Sequence, residues 1–203
     1  MFTIPPIRVG EPIHHESLTV FPLFAERQGR VDYLLSDEAI QAGTVTIQEI
    51  SDTGSVPELL VENRGEVRVL FLEGEELAGA KQNRILNTSL LLPARSKTNI
   101  PVSCVERGRW SYKSRHFGSE GRHSSSKLRH FLKASVTKST IGGMGHRSDQ
   151  GKVWEEVDKQ QATLGVHSPT AAMADSFELH KPRIERTPNS FNTRKAPRGW
   201  RWP

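Results

Sequence analysis

A chain of 203 residues, 35% of them hydrophobic, is long enough for one domain with a sizeable core, alone or with an extension. A net charge of +5 would ordinarily raise nucleic acid or anionic membranes as partners, but residues 181–203 hold seven basic side chains (Lys181, Arg183, Arg186, Arg194, Lys195, Arg198, Arg201) against Glu185, leaving 21 basic and 22 acidic residues elsewhere. One cysteine, Cys104, excludes an intrachain disulfide, no apolar run approaches the roughly 18 residues of a membrane helix, and "MFTIPPIRVGEP" lacks the pattern of a secretory signal, so a soluble, cytoplasmic chain without a membrane or sequence-specific nucleic-acid partner is expected.

Turn formers punctuate the first hundred residues every eight to twelve positions. Between them lie "SLTVFPLF" (17–24), "TVTIQEI" (44–50), "ELLVEN" (58–63), "VRVLFLEG" (67–74), "TSLLLP" (88–93) and "TNIPVSCVE" (98–106), the spacing of an antiparallel sheet. A short helix capped by Ser36 and stopped by Gly43 interrupts them. Val67, Val69, Leu70, Phe71 and Leu72 place apolar side chains on both alternating faces, which predicts a central strand covered on each side. After Trp110 the segment "SYKSRHFGSEGRHSSS" reads as a long polar connection. Helical periods follow: Ser125 or Ser126 caps Leu128, Phe131, Leu132 and Val136; Ser148 caps Val153, Trp154 and Val157. A third helix starts near Pro169 with Ala172, Met173, Phe177 and Ile184 inward, and Pro182 should kink or end it. The fold class expected is α+β, an antiparallel β-rich N-terminal half followed by helices, in a single domain over 1–186 with a basic tail over 187–203.

The densest chemistry lies in "VLFLEGEELAGAKQNRILN" (69–87). Glu73 and Glu75 leave an apolar strand and could act as acid and base or hold a divalent cation; otherwise they are a solvated turn. Lys81, Gln82, Asn83 and Arg84 offer the ammonium, amide and guanidinium donors that suit a phosphate or carboxylate; otherwise they form a hydrophilic loop. Cys104 alternates with Ile100 and Val102 and reads as a buried small hydrophobe, since a nucleophile would need a neighbouring base or cation. The eight histidines have no i, i+4 pair, "GGMG" (142–145) follows no predicted strand and reads as a flexible loop, and Ser96-Lys97 are adjacent, the wrong spacing for a dyad.

The stretch "VRVLFLEGEELAGAKQNRILNTSLLLPARSKTNIPVSCVERGRW" (67–110) closely resembles the ARG and rhodanese-phosphatase-superfamily-associated protein domain, a bacterial family. The likeness continues through "DQGKVWEEV" (149–157) and "SPTAAMADSFELHKPRIE" (168–185), and more loosely through "IRVGEPIHHESLTVFPLF" (7–24). Its pattern falls on Glu73, Gly74, Glu75, Gln82, Asn83, Arg84, Cys104, Glu106, Arg109 and Trp110. By the company the family keeps, with ADP-ribosylglycohydrolases and phosphatase-like proteins, the resemblance implies a ligand related to NAD or ADP-ribose. Residue chemistry and resemblance together give a candidate site with Glu73 and Glu75 as catalytic carboxylates and Lys81, Gln82, Asn83, Arg84 and Arg109 as ligand-binding groups, Lys81 from its chemistry alone, with a divalent metal as candidate cofactor and hydrolysis as candidate reaction. A noncatalytic binding or interaction domain is the alternative. The resemblance also leads one to expect a Gly/Ala/Val-rich strand after residue 186, where this chain reads "TPNSFNTRKAPRGWRWP"; shifting the frame of the codons for 198–203 returns small and apolar residues, so a frameshifted end is expected.

Overall fold

The computed structural model describes residues 6–25, 32–51, 54 and 57–189, in two compact units, one of residues 32–179 and one of the preceding residues together with those from His180 on. In the smaller unit, β1 (Ile7–Val9) pairs with β4 (Leu23–Ala25), and β2 (Ile13–His15) with β3 (Leu18–Val20). The stretch expected as one strand over 17–24 is thus two, separated at Phe21 and Pro22 and belonging to different hairpins. A proline has no N–H to give to a ladder.

In the larger unit, six strands close into an antiparallel barrel in the order β10-β12-β7-β6-β13-β9. They are β6 (Val45–Glu49), β7 (Glu58–Asn63), β9 (Glu75–Gly79), β10 (Arg84–Leu86), β12 (Ser96–Cys104) and β13 (Phe117–His123). Directly paired residues share a face. The registers Ile47↔Val61, Ile47↔Phe117, Leu86↔Val102 and Leu77↔Arg84↔Cys104 therefore define one lining. Most of that lining is apolar core, with Val45, Ile47, Val61, Leu77, Leu86, Val102 and Phe117 all buried. Side chains fill so narrow a barrel. Arg84 and Cys104 continue the same lining, and so does Glu49, two residues beyond Ile47 on its strand.

The other face of β10 explains why the sequence around it looks apolar on both sides. Ile85 turns outward and packs with Val105 and with Leu128, Leu132, Val153, Val157 and Met173 of the helices. Burying a side chain of that size is worth roughly 1.5–3 kcal/mol. Those helices are α2 (Ser126–Ile141), α3 (Gln150–Leu164) and α4 (Met173–Asn189), the last running from the larger unit into the smaller one. Ser125 caps α2 as expected, its hydroxyl accepting from the Leu128 N–H. The cap of α3 is Asp149 rather than Ser148, whose hydroxyl pairs with Ser103 instead. The third helix begins four residues after Pro169, its entry held by the Ala172 N–H donating to Ser168 Oγ at 2.7 Å. Pro182 lies within α4 and does not end it. A basic tail was expected from 187; α4 continues to Asn189, and residues 190–203, with the frameshift expectation, lie outside the described residues.

A three-stranded sheet, β11-β8-β5, completes the unit: β5 (Tyr33–Leu35), β8 (Arg68–Phe71) and β11 (Leu90–Leu92), with β5 parallel to β8. The strand at 67–72 is central, but only Val69 and Phe71 are buried while Leu72 is exposed, so one of its faces is covered, not two. Helix α1 (Ser36–Gln41) follows β5 directly and ends at Gly43, whose φ of 70° is the left-handed stop. Ser36 is its first residue, not its cap, and its hydroxyl goes to Glu75. The fold is α+β, with a strand-rich N-terminal half and helices after it.

Candidate functional site

Glu75 opens β9 and Lys81 follows its end, six positions on, while Arg84 returns along β10 to pair with Leu77, two residues from Glu75. Gly74, at φ 80°, makes the turn into β9. Glu73 is half-buried and its N–H donates to Ser89 Oγ at 3.0 Å, beside a basic groove with His123, Arg129 and Lys133. Glu75 is buried; it accepts from the Ser36 hydroxyl and from the Leu72 N–H at 3.3 Å. Burial raises its carboxyl above the ordinary value, against those hydrogen bonds and nearby His123. The two carboxylates therefore serve different surroundings, and Glu75 ties the turn to α1.

At the far end of β9, Gly79 (φ 120°) and Ala80 (φ 39°) bend the chain sharply. A left-handed alanine is strained, and such strain gathers at functional sites. The bend is held by the Ala80 N–H on Ser114 Oγ (3.0 Å) and by Arg109, and it folds 81–84 inward. Lys81, Gln82, Asn83 and Arg84 are all buried, Arg84 completely, so the stretch is not a hydrophilic loop.

Asn83 belongs to the bracing. Its Oδ1 accepts from the Gly79 N–H (3.1 Å), its Nδ2 donates to Glu76 (3.2 Å), and its N–H goes to Glu106 Oε2 (3.0 Å). Glu76, unremarked in the sequence, is 1% exposed and paired with Arg122 at 2.5 Å. Burial pushes the Glu76 carboxyl up, and the cation opposes this. Arg109 is bracing as well: Nε and Nη2 bind Glu106 at 2.9 and 2.6 Å, and Nη1 reaches the Ala80 and Ser111 carbonyls at 2.6 and 2.8 Å. Burial pushes the Glu106 carboxyl up, but Arg109, the Asn83 N–H and the Thr170 hydroxyl outweigh it and leave it below the ordinary value.

Arg84 differs. Its Nη1 donates to Gln82 Oε1 at 2.7 Å, while Nε and Nη2 have no hydrogen-bond acceptor. Glu49 Oε1 stands 3.9 Å from Nη2, and both Glu49 oxygens also lack a partner although the side chain is 3% exposed. Burial lowers the Arg84 pKa, opposed by the Cys104 thiol and Glu49 beside it; an arginine so placed keeps its charge. Cys104 is buried, like a small apolar filler, yet it has the neighbouring cation that the sequence did not reveal. The Trp110 ring lies 5.8 Å from the Arg84 guanidinium, and the Lys81 ammonium lies 5.3 and 5.0 Å from the rings of Trp110 and Tyr112. A cavity of about 540 Å³ opens beside Glu49 and Tyr112, lined by Gln48, Glu49, Ile50, Ser51, Tyr112, Lys113, Ser114 and Arg115, with Arg84 behind Glu49 and not in its wall. That volume suits a small-molecule ligand.

Residues 6–200 match the model of the ARG and Rhodanese-Phosphatase-superfamily-associated Protein domain, ARPP-1. The chain belongs to this family. Comparison with curated proteins and with solved structures gives no match. The ARPP-1 assignment covers the barrel, its helices and the whole of the mouth just described.

Within this ARPP-1 chain, Lys81, Gln82 and Arg84 meet at the barrel mouth; Asn83 and Arg109 stand behind them as supports; Glu73 and Glu75 lie elsewhere. Sequence reasoning missed Glu49 and Tyr112. Glu49 carried a usable signal: in Val45-Thr46-Ile47-Gln48-Glu49 it falls on the apolar phase of the strand, where a carboxylate needs a reason. Among the described residues no group of three His, Cys, Asp or Glu side chains converges to hold a metal ion, and no helix is long and apolar enough to cross a membrane.

Proposed function

We propose that this ARPP-1 chain takes a nucleotide-type metabolite, related to NAD or ADP-ribose, at the mouth of its barrel. The observation that carries this reading is the pair of buried, oppositely charged side chains whose hydrogen-bonding atoms are unsatisfied: Arg84 through Nε and Nη2, Glu49 through both oxygens, with Glu49 lining the cavity. Leaving such groups unpaired costs more than an ordinary polar group, and native proteins retain them chiefly where a ligand or reaction uses them. The surroundings suit an anion carrying an aromatic ring. Lys81, Lys113 and Arg115 add positive charge, and Trp110 and Tyr112 are half-exposed planes on which a base can stack.

If the ligand is turned over, hydrolysis fits the groups present. Glu49 would take the proton from an attacking water while Arg84, Lys81 and Gln82 hold the anionic part of the substrate. Glu73 and Glu75 would act only on a ligand reaching the other end of β9, where Glu75 is already engaged by Ser36. Binding without turnover is the second reading, favoured by one observation: Glu49 is the only acidic residue lining the cavity among the described residues, so an acid partner for a carboxylate pair is lacking.

A thermal-shift and calorimetric screen against NAD, ADP-ribose, AMP and inorganic phosphate tests this, with Glu49→Gln and Arg84→Lys in parallel. A stabilising ligand that fails on Arg84→Lys supports the site, and turnover lost in Glu49→Gln at saturating ligand supports hydrolysis. A clean melt that no nucleotide shifts would reject the reading.

A further inference from the structure

We infer that the mouth reads a ribose phosphate, with Arg84 holding the phosphate and Glu49 accepting from the two vicinal ribose hydroxyls; this rests on the nucleotide reading above in its form without turnover, where Glu49 is a recognition group and not a base. The argument begins with which atoms lack partners. Gln82 occupies Nη1, and Nε and Nη2, two parallel N–H groups along one edge of the guanidinium plane, make no well-formed hydrogen bond and have only the weakly accepting Cys104 sulfur beside the group. That edge matches two oxygens of one phosphate or carboxylate. Glu49 does not fill it, since its nearer oxygen is 3.9 Å from Nη2. Glu49 in turn presents two empty acceptor oxygens, the complement of two adjacent donors.

Two ligand chemistries put an oxyanion beside adjacent donors: a sugar phosphate with free hydroxyls, and a zwitterion with an ammonium next to its carboxylate. The charges around the mouth choose between them. Among the described residues at the mouth, Arg84, Lys81, Lys113 and Arg115 are cationic and Glu49 is the anion, so their field repels an ammonium and favours phosphate with neutral hydroxyl donors. A carboxylate receiving ribose hydroxyls is the same chemistry that dinucleotide-binding folds use. Both side chains are more than nine-tenths buried, so recognition happens out of bulk water, where each hydrogen bond discriminates most. Arg84 has no solvent exposure beneath Trp110, so the phosphate reaches it only when that half-exposed ring moves aside.

Isothermal titration of the full chain with ribose 5-phosphate, 2-deoxyribose 5-phosphate, inorganic phosphate, glycine and ADP-ribose decides it. Ribose 5-phosphate should bind about tenfold or more tighter than its deoxy analogue, the discrimination expected when one hydrogen bond to a charged group is lost. Glu49→Gln should erase that difference, and Arg84→Lys, with a cooperative melt confirming its fold, should weaken both sugar phosphates alike. Equal binding of the deoxy analogue, binding of inorganic phosphate as tight as that of ribose 5-phosphate, or preference for glycine would overturn the inference. ADP-ribose bound without regard to the hydroxyls would sink this inference and spare the nucleotide reading; no binding of ADP-ribose or either sugar phosphate would remove both.

Discussion

Two arginines 25 positions apart, the buried Arg84 and the half-buried Arg109, sit on either side of the same bend and are treated in opposite ways. The outer one, Arg109, finds acceptors for all three of its nitrogens, on Glu106, Asn83 and the carbonyls of Gly79, Ala80 and Ser111. It behaves as a rivet, holding the 79–83 bend to the segment that carries Trp110. The inner one, Arg84, is more deeply buried yet leaves an edge empty beside an equally unsatisfied carboxylate. Structural cations are saturated where they fold, whereas a recognition cation keeps valence for something else. Under the proposed function, one arginine builds the wall and the other serves what the wall surrounds.

The sharpest break of that contrast is removal of the rivet. Arg109→Met should cost about 3–5 kcal/mol in denaturant unfolding, because it leaves Glu106 buried without its cation. The double change Arg84→Met with Glu49→Leu should do the reverse: stability held or raised by as much as about 1–4 kcal/mol, with ligand binding gone, since an unsatisfied buried pair is being replaced by apolar packing. Were the double variant to unfold like Arg109→Met, Arg84 would be a second rivet.

Gly79→Ala should cost about 1–3 kcal/mol, from the φ of 120° and from a Cβ only 3.0 Å from the His116 carbonyl. Thermal melts would show it, and the loss should exceed that of an alanine placed at Gly118, where a Cβ meets nothing within 4 Å.

The smallest effect concerns the two carboxylates. Glu75 is raised in the fold, so its contribution to stability is full below the ordinary carboxylate value and fades as pH rises through its folded value. Glu106 is lowered, so its contribution is present above the ordinary value and is lost as pH falls through its folded one. Glu75→Gln should therefore flatten the loss of stability on the neutral side of the melting profile and leave the acid limb unchanged. An unaltered slope on the neutral side would mean that Glu75 does not titrate differently in the folded state.

Much of the site could be read from the chain without knowing where it pointed. The run Lys81-Gln82-Asn83-Arg84 stood out by its donors, and three of its four members meet at the barrel mouth. Glu73 and Glu75, which the sequence groups with that run, bond elsewhere, to Ser89 and to Ser36 and Leu72. Phe117–His123, polar enough to pass for a connection, is the strand that closes the barrel, with Phe117 alone fully buried and the rest half-buried or exposed. A strand with one buried residue leaves no alternation to detect.

By itself the sequence determined what repeats locally: turns every eight to twelve residues, the Ser125 cap, the Gly43 stop, the three helical stripes and the family motif over 67–110. Those signals live in backbone preference and side-chain period, which short windows contain. Only the tertiary structure decided that Glu49 faces Arg84 across the barrel from 35 positions away, that Cys104 has a cation beside it, and that Arg109 braces where Arg84 waits. The reason is closure: joining β9 to β13 and β10 to β12 brings remote strands onto one lining, and a strand's alternation fixes which residues face inward but not which ones they meet.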